Sequence, residues 1–478
     1  MKSLVLAEKP SVARDIARVL GCHKNISGAI EGSNYIVTWA LGHLVTLADP
    51  EEYDKKFKAW DMSYLPMVPK KWELVVIKQT SKQYHNVKTQ LFRKDVSEII
   101  IATDAGREGE LVARWILDKS GCHKPIKRLW ISSVTDKAIK EGFAHLKDGR
   151  AYNDLYHAAR SRAEADWLVG INATRALTCK YNAQLSCGRV QTPTLSMIAH
   201  REQQIRSFKP EDYYGLRCTT AVTAGSAGTT ASLVTWTWQQ KKSGSLRSFN
   251  KDLITVLDKK LKNQTLTVTD VHTSSKRTPS PGLYDLTELQ RDANKRFGFS
   301  AKETLNIMQS LYEHHKVLTY PRTDSRYIGT DIVPTIKERL KACNIGPYKK
   351  YIPELLKKPL KTSKAFVDDK KVSDHHAIIP TEEYVQMEHM SNNERKIYDL
   401  VVRRFISVLY PAFEYEQTTL KAESAGETFT AKGKVIKAAG WKAVYADAAS
   451  SGSSASQYDA YGDYEDSEDF GEDFQNND

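Results

Sequence analysis

The chain has few of the features that mark secreted, zinc-binding or membrane proteins. Its six cysteines include no Cys-x-x-Cys pair, so the usual spacing of structural zinc ligands is missing. Scattered thiols in a chain of 478 residues suit a reducing compartment. Only a short apolar run precedes Glu8, and no stretch reaches the roughly 18 apolar residues that span a bilayer. We therefore expect a soluble, cytoplasmic protein without a membrane attachment.

The charge of the chain is unevenly distributed. Lys and Arg number 70 against 58 Asp and Glu, a net charge of +12. Residues 459–478 hold nine acids and no Lys or Arg, so residues 1–458 alone carry +21. A basic excess of this size favours a polyanionic partner and salt-dependent binding. The composition of residues 447–478 predicts a disordered acidic tail; a solvated tail and a tail that mimics DNA both remain open.

The most informative segment is residues 318–325, Leu-Thr-Tyr-Pro-Arg-Thr-Asp-Ser. The hydroxyl of Tyr320 is a poor nucleophile at neutral pH, because a tyrosine pKa is about 10. A nearby cation can stabilise both the phenolate and a pentavalent phosphorus. Arg322 lies two positions away, and its planar fork can grip two phosphate oxygens. Pro321 favours an extended loop at this point. On its own the segment also suits a surface loop with a half-buried tyrosine. Together with the acidic residues described next, it indicates attack on a phosphodiester.

Two acidic stations follow apolar runs that read as buried strands. Glu8 comes directly after residues 3–7, and Asp104 and Glu108 follow the apolar residues 99–102. Both stations precede helical patterns, and functional groups of open α/β sheets gather beyond the carboxyl ends of parallel strands. Hard oxygen ligands without a neighbouring His or Cys favour Mg²⁺ over zinc. We expect Glu8, Asp104 and Glu108 to hold one magnesium ion.

Four motifs in order give the chain a specific resemblance. The acidic stations are followed by residues 186–194 (Ser-Cys-Gly-Arg-Val-Gln-Thr-Pro-Thr), the tyrosine octapeptide and residues 373–381 (Ser-Asp-His-His-Ala-Ile-Ile-Pro-Thr). Over residues 1 to about 445 the chain resembles the type IA DNA topoisomerases, specifically the bacterial topoisomerase III branch. The resemblance implies a toroidal enzyme that cuts one DNA strand, holds its 5′ phosphate on tyrosine, passes another strand and reseals without ATP.

The resemblance also assigns catalytic roles by position. Tyr320 would be the nucleophile and Arg322 its phosphate partner. Glu8 would act in catalysis and, with Asp104, bind magnesium. Lys9 would lie near the scissile phosphate, as a proton donor to the leaving 3′ oxygen or an electrostatic stabiliser. The chain departs from many toprim sequences at Gly106, where a second aspartate is common, so one loosely held ion is expected rather than two.

The expected DNA-binding residues lie in several segments. His375 would contact a backbone phosphate, and Arg189 and Gln191 would lie along the single strand. Aromatic side chains near basic groups can stack on unpaired bases. The full set of predicted DNA-contacting residues is Trp60, Trp167, Arg175, Gly188, Arg189, Val190, Gln191, Thr192, Pro193, Arg322 and His375.

The fold class expected is multidomain, with α/β, α and β parts: a toprim domain followed by a type IA toroid that is incomplete at its C-terminus. We divide the chain into a toprim domain (1–150), a helical DNA-binding segment (151–211), the first part of a β hinge domain (212–280), a helical tyrosine domain (281–410), the returning β part (411–446) and the tail (447–478). In this layout the tyrosine domain is inserted into the β domain, whose two connections act as hinges.

The end of the chain leaves the function open between two classes. After residue 445 the family continues through more β structure and a second helical portion, which this sequence does not show. A naturally shortened enzyme, a truncated relic and a fragment completed by another chain all remain open. The two functions are therefore a magnesium-dependent strand-passage enzyme and a remnant that binds or cleaves single strands. DNA is the expected partner, a helicase partner is left open, and a monomer is expected unless another chain completes it.

Overall fold

A computed structural model describes residues 1–132, 134–222, 232–372 and 375–446. The chain forms two compact units: Met1–Arg201 with Gly282–Ile406, and Glu202–Pro281 with the segment that begins at Ser407. Three predictions fall outside the described residues: the turn that the Gly- and Ser-containing segment 224–228 predicts, the motif residues Ser373 and Asp374, and the acidic tail. The six-part division of the chain stays a prediction.

The first 150 residues form a mixed α/β layer. Its elements are β1 (Lys2–Ala7), α1 (Pro10–Val19), β2 (Lys24–Ile26), β3 (Ala29–Glu31), β4 (Tyr35–Trp39), β5 (Val45–Leu47), α2 (Pro50–Tyr53), β6 (Leu74–Val76), α3 (Ser81–Leu91), β7 (Val96–Ala102), α4 (Arg107–Ser120), β8 (Ile126–Arg128), α5 (Asp136–Ala144) and β9 (Lys147–Asp148). One sheet has the order β2-β3-β4-β1-β7-β8-β9, while β5 and β6 pair separately. Strands β4, β1, β7 and β8 are parallel, which confirms the predicted parallel core.

The two central strands are buried on both faces. Leu4 and Leu6 of β1 point into one apolar cluster, whereas Val5 and Ala7 point into the other. A strand covered by helices on both sides reads as a continuous apolar run, which is why its sequence signal is strong. Strands β1 and β7 are in register, with Ala7 opposite Ala102. The residues that follow them therefore emerge at the same edge of the sheet.

Two helices follow this sheet. Helix α6 (Asn153–Tyr181) packs on α4, and Tyr156 donates a hydrogen bond to Asp118 Oδ2 at 2.5 Å. Helix α7 (Gln191–Ser207) buries none of its side chains. Within the described ranges, none of the helices combines the length and apolar character that crossing a bilayer requires.

The second unit is a five-stranded antiparallel sheet. Its elements are β10 (Arg217–Val222), β11 (Ser232–Gln239), α8 (Lys251–Leu261), β12 (Thr267–Thr278), β13 (Phe413–Ser424) and β14 (Glu427–Ala438). The strand order β10-β11-β14-β13-β12 mixes strands from before and after the intervening helices. The pairing of β12 with β13 joins Thr278 to Phe413, as expected for a β domain with an insertion.

Two expectations for this unit were wrong. The prediction of a β part over residues 212–280 missed α8, whose start is capped by Asn250 and whose Ile254 and Leu257 pack on Trp236 and Trp238. A short amphipathic helix between Thr- and Val-rich strands gives a weak local signal, so tertiary packing decides it. Residues 440–445, predicted as strand, form a 3₁₀ turn that buries Trp441.

The helices between the two β parts lead to the tyrosine. They are α9 (Leu286–Phe297), α10 (Ala301–Glu313), α11 (Ile336–Ala342), α12 (Ile352–Lys357) and α13 (Asn392–Ser407). Helix α10 is capped by Ser300, whose Oγ accepts from the Glu303 N–H at 3.1 Å, and ends at Glu313. The chain then turns through Lys316 (φ 60°). Thr319 donates its N–H to the Ile379 carbonyl at 3.0 Å, which fixes the loop that carries Tyr320.

Candidate active site

Two carboxylates meet at the edge where β1 and β7 end. Glu8 follows β1, and the backbone N–H of Asp104 donates to Glu8 Oε2 at 3.1 Å. Burial and the neighbouring Asp104 charge raise the pKa of Glu8 to about 7. Burial also raises the pKa of Asp104. Two partly desolvated carboxylates side by side disfavour double ionisation, and a divalent cation between them would reverse that cost.

Glu8 and Asp104 suit the oxygen-rich, partly hydrated coordination that Mg²⁺ prefers. Glu108, the third predicted ligand, has an exposed side chain whose Oε1 lies 3.7 Å from Arg162 Nη1. Among the described residues, no group of three or more metal-ligating side chains is assembled. The arrangement fits an ion held by two carboxylates, with water completing the shell.

Tyr320 reaches the acidic pair through Asp104. Its hydroxyl donates to Asp104 Oδ2 at 3.3 Å, and its backbone N–H donates to the Ser132 carbonyl at 3.1 Å. The Tyr320 ring packs edge-on against Tyr312, with ring centres 5.4 Å apart. Burial, then the charges of Asp104 and Glu8, raise the pKa of Tyr320 well above its usual value. In this arrangement the phenol is protonated at neutral pH.

Arg322 and Lys9 supply the positive charge that the sequence predicts around the tyrosine. The exposed Arg322 acts to lower the pKa of Tyr320 and forms no ion pair with the residues that the structure describes. Lys9 pairs with Glu313 at the end of α10. Lys9 also acts to lower the pKa of Asp104, so its ammonium is within electrostatic reach of the acidic pair.

His375 forms the other wall of the site. Its ring stacks on Tyr320 at 4.2 Å between centres, with 27° between the planes, and lies 6.5 Å from Trp130 on a similar plane. Only 4% of His375 is exposed, and burial is the main cause that lowers its pKa to about 3. The imidazole is therefore neutral at pH 7. We call Glu8, Asp104, Tyr312, Tyr320 and His375 the tyrosine cluster.

The predicted binding motif, residues 188–193, lies in a turn between α6 and α7. The turn is tied to α6 through Thr174, whose Oγ1 accepts from the Cys187 N–H at 2.9 Å. Arg189 pairs with Asp166 at 2.6 Å, and Val190 is 67% exposed. Gly188, Gln191, Thr192 and Pro193 belong to the same turn and first helical residues. No described contact joins this motif to the tyrosine cluster.

The remaining predicted DNA-contacting residues are found on and around α6. Arg175 is buried under the half-exposed Trp60, with its guanidinium 5.0 Å from the ring centre. Trp167 donates its indole N–H to the Ala48 carbonyl at 2.9 Å and packs edge-on against Trp72. The visible role of Trp167 is packing, whereas Trp60 presents a ring to solvent. Their contacts with DNA stay predictions.

Sequence reasoning missed the supports of this site. Arg128, at the end of β8, is fully buried and pairs with Glu110 at 2.6 Å. Its guanidinium also donates to the carbonyls of Thr103 at 2.8 Å and Asp104 at 2.7 Å. The signal available in the sequence was the position of Arg128, a charged residue at the end of a strand near the strand ends that precede Glu8 and Asp104. Arg128 thus fixes the backbone of the loop that presents Asp104.

Comparisons with known proteins cover nearly the whole chain. A family model described as DNA topoisomerase matches residues 150–466, and a Toprim domain model matches residues 3–134. The DNA topoisomerase 3 of Bacillus cereus (strain ATCC 14579) is 63% identical over 93% of this chain and 59% of its own length. That of Bacillus subtilis (strain 168) is 60% identical over 93% and 60%. The chain thus spans about 60% of the length of these relatives.

A solved structure shares the fold. Full-length topoisomerase I from Thermotoga maritima matches 92% of this chain and 67% of its own, with a TM-score of 0.65 and 23% sequence identity. At that identity the likeness concerns the arrangement of the backbone alone. It agrees with an α/β sheet followed by helices and an interrupted β domain.

Proposed function

Because the chain belongs to the type IA DNA topoisomerase family, in its topoisomerase III branch, we propose that it breaks, passes and rejoins single-stranded DNA without ATP. The covalent intermediate is a 5′-phosphotyrosine on Tyr320, which conserves the energy of the broken phosphodiester bond. The substrate is negatively supercoiled or linked DNA. The observation that carries the proposal is the 3.3 Å hydrogen bond from the Tyr320 hydroxyl to Asp104 beside Glu8. It unites the nucleophile with the acidic pair across more than 200 residues of sequence.

The first step is in-line attack of Tyr320 Oη on a phosphorus of the DNA backbone. The bond from Oη to phosphorus forms, the bond from phosphorus to the 3′ oxygen breaks, and the 5′ phosphate stays on the enzyme. Asp104 Oδ2 already accepts the hydroxyl hydrogen bond, so the phenolic proton has an acceptor in place. A raised Asp104 pKa makes that carboxylate a better base.

Cations of the chain offset the charge that grows on the phosphoryl oxygens. Arg322, exposed and near the tyrosine, offers two N–H donors to the phosphate. Lys9 supplies a second positive charge and a proton for the leaving 3′ oxygen. Phosphoryl transfer depends mainly on such positioning and charge neutralisation. The reverse step, attack of the 3′ hydroxyl on the tyrosyl phosphodiester, needs no nucleotide because the bond energy is conserved.

Glu8 and Asp104 would hold the magnesium ion, which when bound supplies additional charge neutralisation at the phosphate. His375, neutral and stacked on the Tyr320 ring, orients the phenol and offers a hydrogen bond to a backbone phosphate. The 188–193 turn, Arg175 and Trp60 would line the path of the single strand.

The alternative is a protein that grips or nicks single strands without passage. It is favoured by α7, none of whose side chains is buried by the residues that the structure describes. Both candidates need the same tyrosine, and only the first relaxes supercoiled DNA.

A plasmid assay tests the proposal. The protein is incubated with negatively supercoiled plasmid, with and without Mg²⁺, beside Tyr320→Phe. Magnesium-dependent relaxation that is lost in Tyr320→Phe supports the enzyme. Capture of an oligonucleotide on Tyr320 without relaxation supports the alternative. Relaxation that survives Tyr320→Phe overturns both.

A further inference from the structure

We propose that Glu313 is a positioning residue whose carboxylate occupies the place of the scissile phosphate when no DNA is bound. Lys9 then exchanges the carboxylate of Glu313 for a DNA phosphate as the single strand enters. The inference rests on the proposed function. It adds a residue that regulates entry of the phosphate, outside the nucleophile, the acidic pair and Arg322.

The Lys9–Glu313 contact joins two distant parts of the chain. Lys9 Nζ donates to Glu313 Oε1, and the Gln309 amide, one helical turn earlier on α10, donates to the same oxygen. The side chains of Lys9 and Glu313 are 32% and 21% exposed. Two donors therefore hold one carboxylate oxygen in a place that solvent still reaches.

The position of Glu313 is set by the same packing that sets the nucleophile. Tyr312, its neighbour on α10, is buried in the apolar cluster of β1 and α1 and touches the Tyr320 ring. That packing fixes the backbone of Glu313 beside Lys9. The carboxylate itself, on a flexible and partly exposed side chain, can still rotate away when a competing anion arrives.

Carboxylate and phosphate oxygens compete for the same ammonium. Among the described residues, Lys9 has no ion-pair partner other than Glu313. An incoming phosphate must displace Glu313 to gain the full charge of Lys9 and must also approach an extra negative charge. Removing the charge of Glu313 while keeping its shape should therefore favour DNA binding.

A second ion pair, between α1 and the residues that follow α10, supplies a matched control. Lys316 Nζ lies 2.6 Å from Asp15 Oδ1, and both side chains are 21% exposed. This pair also joins the α1 region to the end of α10, but it does not involve Lys9. Asp15→Asn therefore removes one negative charge and one cross-link without releasing the site lysine.

The experiment measures binding of a fluorescent single-stranded oligonucleotide, in a Tyr320→Phe background that prevents cleavage. Glu313→Gln is expected to tighten binding roughly threefold or more, as loss of a competing ion pair would. Asp15→Asn should change it clearly less. In a Lys9→Ala background, Glu313→Gln should give no gain in affinity over Lys9→Ala alone. Equal effects of Glu313→Gln and Asp15→Asn, no effect of Glu313→Gln, or a gain that persists without Lys9 would each overturn the proposal.

Covalent capture on proteins that retain Tyr320 separates this proposal from the proposed function. If no variant captures the oligonucleotide but Glu313→Gln still binds more tightly through Lys9, the reaction scheme fails and the competition stands. If capture occurs but the affinity pattern is absent, the competition fails and the reaction scheme stands. Melting curves of each variant confirm that the compared proteins are folded.

Discussion

The tyrosine cluster and the 188–193 turn differ in how far their side chains already have interaction partners within the protein. In the cluster, Tyr320 is held by Asp104, Ser132, Tyr312 and His375 before any substrate is present. In the turn, Val190 is 67% exposed, and the one ion-pair partner of Arg189 among the described residues is the exposed Asp166. The chemical groups are organised in advance, whereas the binding groups face solvent. Reaction geometry tolerates little error, but backbone contacts with DNA tolerate more.

The largest expected effect is on stability, where substitution of a buried supporting residue should cost far more than substitution of an exposed residue. Glu110→Ala leaves the fully buried Arg128 without its carboxylate partner, so we expect a loss of about 3–5 kcal/mol in the free energy of unfolding. Glu108→Ala, at an exposed position of the same helix, should change it by less than about 0.5 kcal/mol. Urea unfolding measures both. Similar values for the two variants would remove Arg128 and Glu110 as supports of the acidic loop.

The next largest effect is expected from Arg322, which is exposed but acts to lower the pKa of the partly buried Tyr320. Arg322→Ala should lower the rate of cleavage by on the order of 10²-fold, because one charge contact to the transition state is lost. Arg322→Lys keeps the charge but not the two-pronged donor geometry, so it should lie between the wild type and Arg322→Ala. Single-turnover capture of a labelled oligonucleotide measures the rates. An unchanged rate in Arg322→Ala would exclude it from the mechanism.

A smaller effect is expected from the pH dependence of the acidic pair. The pKa of Glu8 rises from 4.5 to about 7 in the folded protein, so the folded state binds this proton more tightly than the unfolded chain. Without metal, the resulting stability is present below pH 4.5 and is lost as the pH rises towards about 7. We expect a loss on the order of 1–3 kcal/mol across that window.

Melting temperatures measured in EDTA test this dependence. Glu8→Gln should remove most of this pH dependence, and added Mg²⁺ should reduce it because a bound cation would offset the charge of the ionised carboxylates. A melting temperature that rises over the same pH range in the wild type, and not in Glu8→Gln, would show that the direction is wrong.

The smallest effect belongs to the turn. Arg189→Ala should weaken oligonucleotide binding by less than about 1 kcal/mol and reduce the salt dependence by about one phosphate contact. Cleavage at saturating DNA should stay close to the wild-type rate. Binding titrations over a series of salt concentrations, together with the cleavage assay, check both parts. A large fall in the saturated rate would mean that the turn and the cluster are not separable.

Local sequence signals predicted much of the fold. The apolar runs that become β1 and β7, the helices α1 and α4, and the helical character of residues 281–410 follow from pattern. The family resemblance, not the pattern, implied that the β domain is split by an insertion. The exceptions have a common cause. Helix α8 and the turn at 440–445 are short, and their conformation depends on burying Ile254, Leu257 and Trp441 against distant residues.

Candidate site residues divide in the same way. The sequence predicted Glu8, Asp104 and Tyr320, since each lies in a motif or directly after a strong strand pattern, and the family resemblance added Lys9 and His375. It did not identify Arg128, Tyr312 or Glu313, whose relevance comes from contacts with residues far away in the chain. Glu108 was expected beside Asp104 because the two are close in sequence. The start of α4 instead directs its side chain towards Arg162.

The sequence by itself determined the reactive groups of this protein, its basic character and its family, because these depend on residue chemistry and order. Only the tertiary structure decided that the charge of Asp104 lies close enough to raise the pKa of Glu8. It also decided that the neutral His375 ring stacks on Tyr320 and that Lys9 pairs with Glu313. These properties arise from desolvation and from distances between residues up to hundreds of positions apart, which no local pattern contains.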